Sequence, residues 1–140
     1  MGKRERDAIG QVPLFSALPH RHQRRLSDLA VEERLMEGAT IVREGDIGDT
    51  FYVILEGEAK VTSKSGRVVN RLRPGDFFGE ISLLDGGPRT ADVVADTPMV
   101  VLGITRKAFL RAITDQPEIG VQLLQYAASM LRRLDRPASG

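Results

Sequence analysis

Between residues 33 and 76 glycine cuts the chain into segments too short for helices. Residues 34–37 run into Gly38, 40–43 into Gly45 and Gly48, 50–55 into Gly57, 59–63 into Gly66, and 67–72 into Pro74-Gly75-Asp76. Isoleucine, valine, phenylalanine, tyrosine and threonine fill the runs, while glycine, aspartate and proline fill the gaps. Branched and aromatic side chains suit a pleated, half-buried surface, and the gap residues suit tight turns. Turn signals about every 8 to 12 residues with little room for helix predict a small antiparallel sandwich or barrel. Two further strands are expected at 92–95 and 99–104, separated by Asp96-Thr97-Pro98.

Helices are expected on both sides of this β region. Leu14, Phe15, Leu18, Leu26 and Leu29 recur at helical spacing broken by Pro19, which predicts a short turn and then a helix over 21–30. The run His20-Arg21-His22-Gln23-Arg24-Arg25 reads as the solvated face of that helix. At the other end Thr105 is placed to cap a helix carrying Phe109, Leu110 and Ile113, and Pro117 and Glu118 open another over 118–134. That last helix has two apolar rows, Ile119, Leu123, Tyr126, Met130 and Leu134 in one, Leu124, Ala127 and Leu131 in the other. One row suffices to pack a helix on its own domain. The second implies that it also covers a ligand, a second subunit or a neighbouring domain.

Composition narrows the function. With 140 residues, 41% apolar and 28% charged, the chain is long enough for one core. A net charge of +1 gives no global field to gather nucleic acid or acidic membrane, and no cysteine is present for disulfides or thiolate metal sites. No apolar run reaches the 18 to 20 or so residues of a spanning helix, and the first residues are charged rather than those of a signal peptide. The region 33–104 holds no histidine, so a cupin-like metal enzyme has no ligands there, and no nucleophile–base pair is visible. No catalytic residue and no metal are expected.

The chemistry concentrates between Phe77 and Ala91. Glycines free backbone N–H groups, a short helical turn offers its N-terminus, and Pro88 precedes a single arginine, Arg89. Together these make a phosphate cradle. Glu80 would repel a bare anion, but it fits a nucleotide that carries a sugar hydroxyl beside its phosphate.

Phe78-Gly79-Glu80-Ile81-Ser82-Leu83-Leu84 followed by Pro88-Arg89-Thr90-Ala91 closely resembles the phosphate-binding cassette of cyclic nucleotide-binding domains, found in catabolite-activator-type regulators, cyclic-nucleotide-dependent kinases and cyclic-nucleotide-gated channels. Pro13-Leu14-Phe15-Ser16-Ala17-Leu18 is similar to the family's opening segment. Arg43-Glu44-Gly45-Asp46 and Val53-Ile54-Leu55-Glu56-Gly57-Glu58 resemble its β-roll, and Arg132-Arg133-Leu134 its closing helix. The resemblance implies a mainly β, α+β fold: an antiparallel, jelly-roll-like β-roll with a short cassette helix, N-terminal helices and two C-terminal helices. The expected organisation is a charged extension over 1–12, a ligand-binding domain over 13–134 and a flexible tail over 135–140. Within the domain, helices occupy 13–31, the roll 32–104 with its cassette at 78–91, and helices 105–134.

The resemblance also assigns roles. Arg89 should fork onto the cyclic phosphate, and backbone N–H groups around Ser82, Leu83 and Ala91 should donate to the same oxygens. Glu80 should accept from the ribose 2′-hydroxyl, with Gly79 letting the backbone approach the sugar. Phe78 and Ile81 belong to the same cassette. The base should meet Val61, Val69 and Leu72 and be covered by Met130, Leu131, Arg133 or Leu134 of the last helix. A hydroxyl at Thr90 reaches the phosphate and, in some members, a guanine amino group; cAMP is slightly favoured over cGMP. Asp92 stands where many relatives have another residue type, and its side chain is expected to point away from the phosphate. The expected partners are a cyclic nucleotide and an effector domain or protein, in cis or in trans. A homodimer through the C-terminal helix is open, and neither a nucleic-acid contact nor a membrane segment is expected. A cytoplasmic sensor module is the reading that follows; an interaction domain with an idle pocket is its alternative.

Overall fold

The computed structural model describes residues 3–134, the side chain of Ile81 excepted. Three helices come first: α1 (Lys3–Gln11), α2 (Pro13–Ser16) and α3 (His20–Leu29). Eight strands follow, β1 (Val31–Leu35), β2 (Thr40–Val42), β3 (Thr50–Glu56), β4 (Ala59–Thr62), β5 (Val68–Leu72), β6 (Phe77–Phe78), β7 (Asp92–Ala95) and β8 (Met99–Thr105). Helix α4 (Glu80–Asp85) interrupts them before β7, and α5 (Arg106–Asp115) and α6 (Glu118–Leu134) close the described chain. The strands form two antiparallel four-stranded sheets, ordered β1-β8-β3-β6 and β2-β7-β4-β5. This is the expected β-roll with a cassette helix and flanking helices.

Alternation along β3 and β8 explains where the core sits. Phe51 and Val53 on β3, with Leu102 and Ile104 on β8, face a cluster built with the helices through Phe15, Leu26, Phe109 and Ile119. Their neighbours Ile54, Met99 and Val101 face the roll interior with Val42, Ala59, Leu72, Phe78 and Val93. The middle of the first sheet, β8 and β3, is therefore buried on both faces while its edge strand β1 stays largely exposed, and β8 reads as an unbroken apolar run for that reason. Phe15 anchors the helical side, with ring centroids 5.6 Å from Phe51 and 6.0 Å from Phe109. Thr105 caps α5 as expected, its Oγ1 accepting from the Ala108 N–H at 3.1 Å.

Residues 1–12 are more than a charged extension. From Lys3 they form α1, whose Ile9, with the following Val12, is fully buried in the helical cluster. The charges mask this because only one face of a nine-residue helix has to be apolar. Arg4 on the outer face reaches Glu56 at 3.1 Å and Glu32 at 3.5 Å. The expected tail at 135–140 lies outside the described residues. Strand β6, two residues long, was not expected; it exists because Phe77 and Phe78 pair with Val53 and Tyr52, and Phe78 stacks on Tyr52 with centroids 5.0 Å apart. No described helix is long and apolar enough to cross a membrane.

Candidate functional site

The cassette is a turn–helix–turn held between two left-handed glycines. Gly79 (φ +90°) starts α4 and Gly86 (φ +68°) ends it, with the Gly86 N–H bonded to Ser82 O at 2.8 Å. Past Gly86, the Asp85 carboxylate accepts from the Gly87 N–H at 2.7 Å. The chain then runs against the β2–β3 loop. Arg89 N–H donates to Asp46 O at 2.7 Å, Gly45 N–H to Arg89 O at 2.9 Å, and Ile47 pairs with Pro88. Arg89 is thus fixed at its backbone before its side chain meets anything.

That side chain is 8% exposed. Nη2 donates to Thr50 O at 2.8 Å, whereas Nη1 is buried with no hydrogen-bond partner among the described residues. Two glycines make the room. A Cβ on Gly48 would overlap the guanidinium, and one on Gly79 would lie 2.7 Å from Nη1 and 2.9 Å from Thr50 O. Gly79 therefore clears space for Arg89 itself, besides the sugar that the family resemblance assigns to it. A buried guanidinium with an unspent donor is costly unless something anionic completes it.

A pocket of about 220 Å³ opens beside it. Phe78, Gly79, Glu80, Ser82, Arg89, Thr90 and Ala91 line one side, and Val42, Val61, Leu72 and Val93 the other. Nine of the expected residues are thereby brought together, while the side chain of Ile81 lies outside those described. Val69 is not among the lining residues: it is 59% exposed, and Asn70 takes its place. Val69 and Leu72 are three apart on one strand, so they point to opposite faces, and the Val61–Asn70 and Ala59–Leu72 pairs set which face looks inward. Strand parity was the signal that would have identified Asn70. Asp92 points away, its Oδ1 accepting from the Glu44 N–H at 2.6 Å. Of the amides expected at the phosphate, that of Leu83 is spent on Gly79 O at 3.0 Å.

The last helix meets the site differently from expectation. Met130, Leu131 and Arg133 do not line the pocket; Leu131 and Leu134 are exposed and Met130 half-buried. Tyr126 of α6 feels the charge of Glu80 in the cassette. Burial, and after it the Glu80 carboxylate, pushes its hydroxyl above the usual phenol range, with Arg133 pulling the other way. The second apolar row borders a groove instead, where Leu124 and Ala127 face Leu83 and Leu84 of α4 and Leu110 and Ile113 of α5.

Glu80 is the first residue of α4 and half-buried. Burial pushes its carboxyl above the usual carboxylate range, and a hydrogen bond from its own backbone N–H offsets part of this. A raised carboxyl contributes stability below its unfolded-state value, which is lost as pH rises through the folded value. Glu80→Gln should therefore match or exceed the wild-type melting temperature at pH 7, and that difference should shrink toward pH 4. Parallel thermal melts at the two pH values check this; a pH-independent difference would contradict it.

Residues 32–116, more than half of the chain, match the model of the cyclic nucleotide-binding domain. The chain belongs to that family. Cyclic nucleotide-binding domains resemble it in sequence and in structure. A cAMP-dependent protein kinase regulatory subunit from Eremothecium gossypii is 34% identical over 81% of this chain and 25% of its own length. A CRP-like cAMP-activated global transcriptional regulator from Mycobacterium tuberculosis is 38% identical over 69% of this chain and 45% of its own. The chain thus spans a quarter to just under half the length of these curated relatives. The crystal structure of the N-terminal domain of a transcriptional regulator from Streptomyces coelicolor superposes with a TM-score of 0.84 and 34% identity, covering 92% of this chain and 93% of that one. Catabolite activator protein of Thermus thermophilus gives a TM-score of 0.73 at 30% identity, covering 89% and 60%. These relatives are named as regulators, and the chain shares their cyclic nucleotide-binding domain.

Proposed function

We propose that this domain is a cAMP sensor whose ligand sits in the pocket beside Arg89 and whose last helix carries the output. The observation that carries the reading is the buried Arg89 guanidinium, with one nitrogen on Thr50 O and another without a partner among the described residues. A cyclic phosphate supplies the missing acceptor, and the N–H groups of Ser82 and Ala91 add neutral donors. Glu80 accepts from the ribose 2′-hydroxyl, and the base rests on Val61 and Leu72 with Asn70 and Thr90 at its polar edge. cAMP is placed ahead of cGMP because the kinase subunit and the CRP-like regulator named above carry cAMP in their own names. Residues 13–134, with α1 packed into their core, form the binding unit. The module has no catalytic role, binds no metal and works in the cytoplasm, passing its signal to an effector in cis or in trans. The exposed Leu124, Leu131 and Leu134 give α6 apolar surface for that effector or for a second copy.

Titration calorimetry with cAMP and cGMP side by side tests the ligand. Tighter binding of cAMP is expected, and no heat with either nucleotide would sink the proposal. Ligand can move α6 only by its preference for one seating over another. Removing the chain from Ser129 onward should therefore weaken binding by only a few-fold while the roll stays folded by circular dichroism. Unchanged affinity would remove the helix end from the role of lid.

A further inference from the structure

One buried titratable group stands apart from the nucleotide site. His22 on α3 is 2% exposed, and both of its ring nitrogens face oxygens at the junction between α5 and α6. Nδ1 lies 2.6 Å from Gln116 Oε1, and Nε2 lies 3.8 Å from the carboxylate of Glu118, the first residue of α6. An amide oxygen only accepts, so Nδ1 is the donor in the neutral ring and the lone pair is left on Nε2. That nitrogen is buried without a hydrogen-bond partner among the described residues. In the neutral state a lone pair confronts a carboxylate; in the imidazolium both nitrogens donate, one to Gln116 and one toward Glu118.

We propose that His22 is a proton-operated clasp that fastens the start of α6 to α3. Histidine is the side chain whose charge changes between pH 5 and 8. Adding one proton to Nε2 turns the unpaired contact into a charge-assisted one and leaves Nδ1–H on Gln116. The other charges at the junction already hold it in register: Arg25 of α3 reaches Asp115 at the end of α5 at 2.7 Å. From α1, also packed on α3, Arg6 and Asp7 line a separate cleft with His20, Gln23 and Arg24. Glu118 and Asp115 are the carboxylates that α5 and α6 bring to this end of α3. The clasp closes as pH falls, seating the first turn of α6 more firmly. Through α6 it would bias the nucleotide response proposed above, but the clasp itself does not rest on that reading.

The test uses the whole chain without nucleotide, so failure of the ligand assignment cannot obscure it. Amide hydrogen exchange of residues 119–123, corrected for intrinsic rates, is compared at pH 5.5 and pH 8 in wild type and Glu118→Gln. Glu118 is 66% exposed, so the variant should fold, with unchanged protection of Leu102 and Ile104 as the control. Protection in wild type should rise several-fold at pH 5.5, and Glu118→Gln should lose most of that rise. Imidazole nitrogen shifts should report an Nδ1–H neutral ring that gains its second proton on Nε2. An equal rise in both proteins, no rise in wild type, or a neutral ring protonated on Nε2 would overturn the clasp.

Discussion

Arg89→Leu is expected to weaken cAMP binding by roughly 2–5 kcal/mol, because a desolvated phosphate loses its charged partner. The fold should barely register the change. Arg89 makes one hydrogen bond from its side chain to Thr50 O, and Nη1 makes none among the described residues. Leucine removes an under-satisfied buried cation and leaves apolar volume beside Phe78 and Val93, so the melting temperature without ligand should stay level or rise. Arg89→Lys should fall between the two in affinity, since an ammonium keeps the charge but cannot bond Thr50 O and the phosphate through one planar fork. Calorimetry for affinity and thermal melts for the free protein separate the effects. Unchanged affinity in Arg89→Leu would remove the arginine from the site. A large fall in melting temperature would make it a structural residue.

The cassette was legible because its chemistry is local. Glycines, Glu80, Pro88 and Arg89 lie within a dozen residues, and their spacing alone sets a turn, a helix start and a single cation. The β-roll was legible for a related reason, since each turn announces itself by glycine or proline. What escaped depends on contacts between distant segments. Strand β6 is defined by its partner Tyr52, the inward face of β5 by pairing with β4, and the seat of the Arg89 side chain by a carbonyl 39 residues earlier. The burial of Ile9 is invisible in a segment dominated by charge, because the surface it covers belongs to other helices and to β3. His22 lies in a run that reads as solvated and basic, and its neighbours in sequence give no sign that Gln116 and Glu118 meet it.

The glycines mark the same boundary, because sequence identifies them as turns without saying which are irreplaceable. Gly57 and Gly66 both have left-handed backbone, φ +86° and φ +81°; Gly57 directly follows β3, and Gly66 lies in the turn between β4 and β5. Around Gly66 an added Cβ meets nothing within 4 Å. At Gly57 it would overlap the carbonyl of Pro98 and lie 2.9 Å from both Met99 Cγ and Thr97 Oγ1. The surrounding corner has little freedom to yield: Thr97 Oγ1 accepts from the Glu58 N–H, and Asp96 N–H donates to Glu58 O, each at 2.9 Å. Gly66→Ala should therefore cost only the conformational penalty of a left-handed alanine, about 1 kcal/mol. Gly57→Ala adds overpacking against backbone and should lose ~3 kcal/mol or more. Urea unfolding of the two variants, compared at constant m-value, gives the difference directly. Equal losses would mean that the β7–β8 turn gives way and that conformation alone, rather than close approach, selects glycine at position 57.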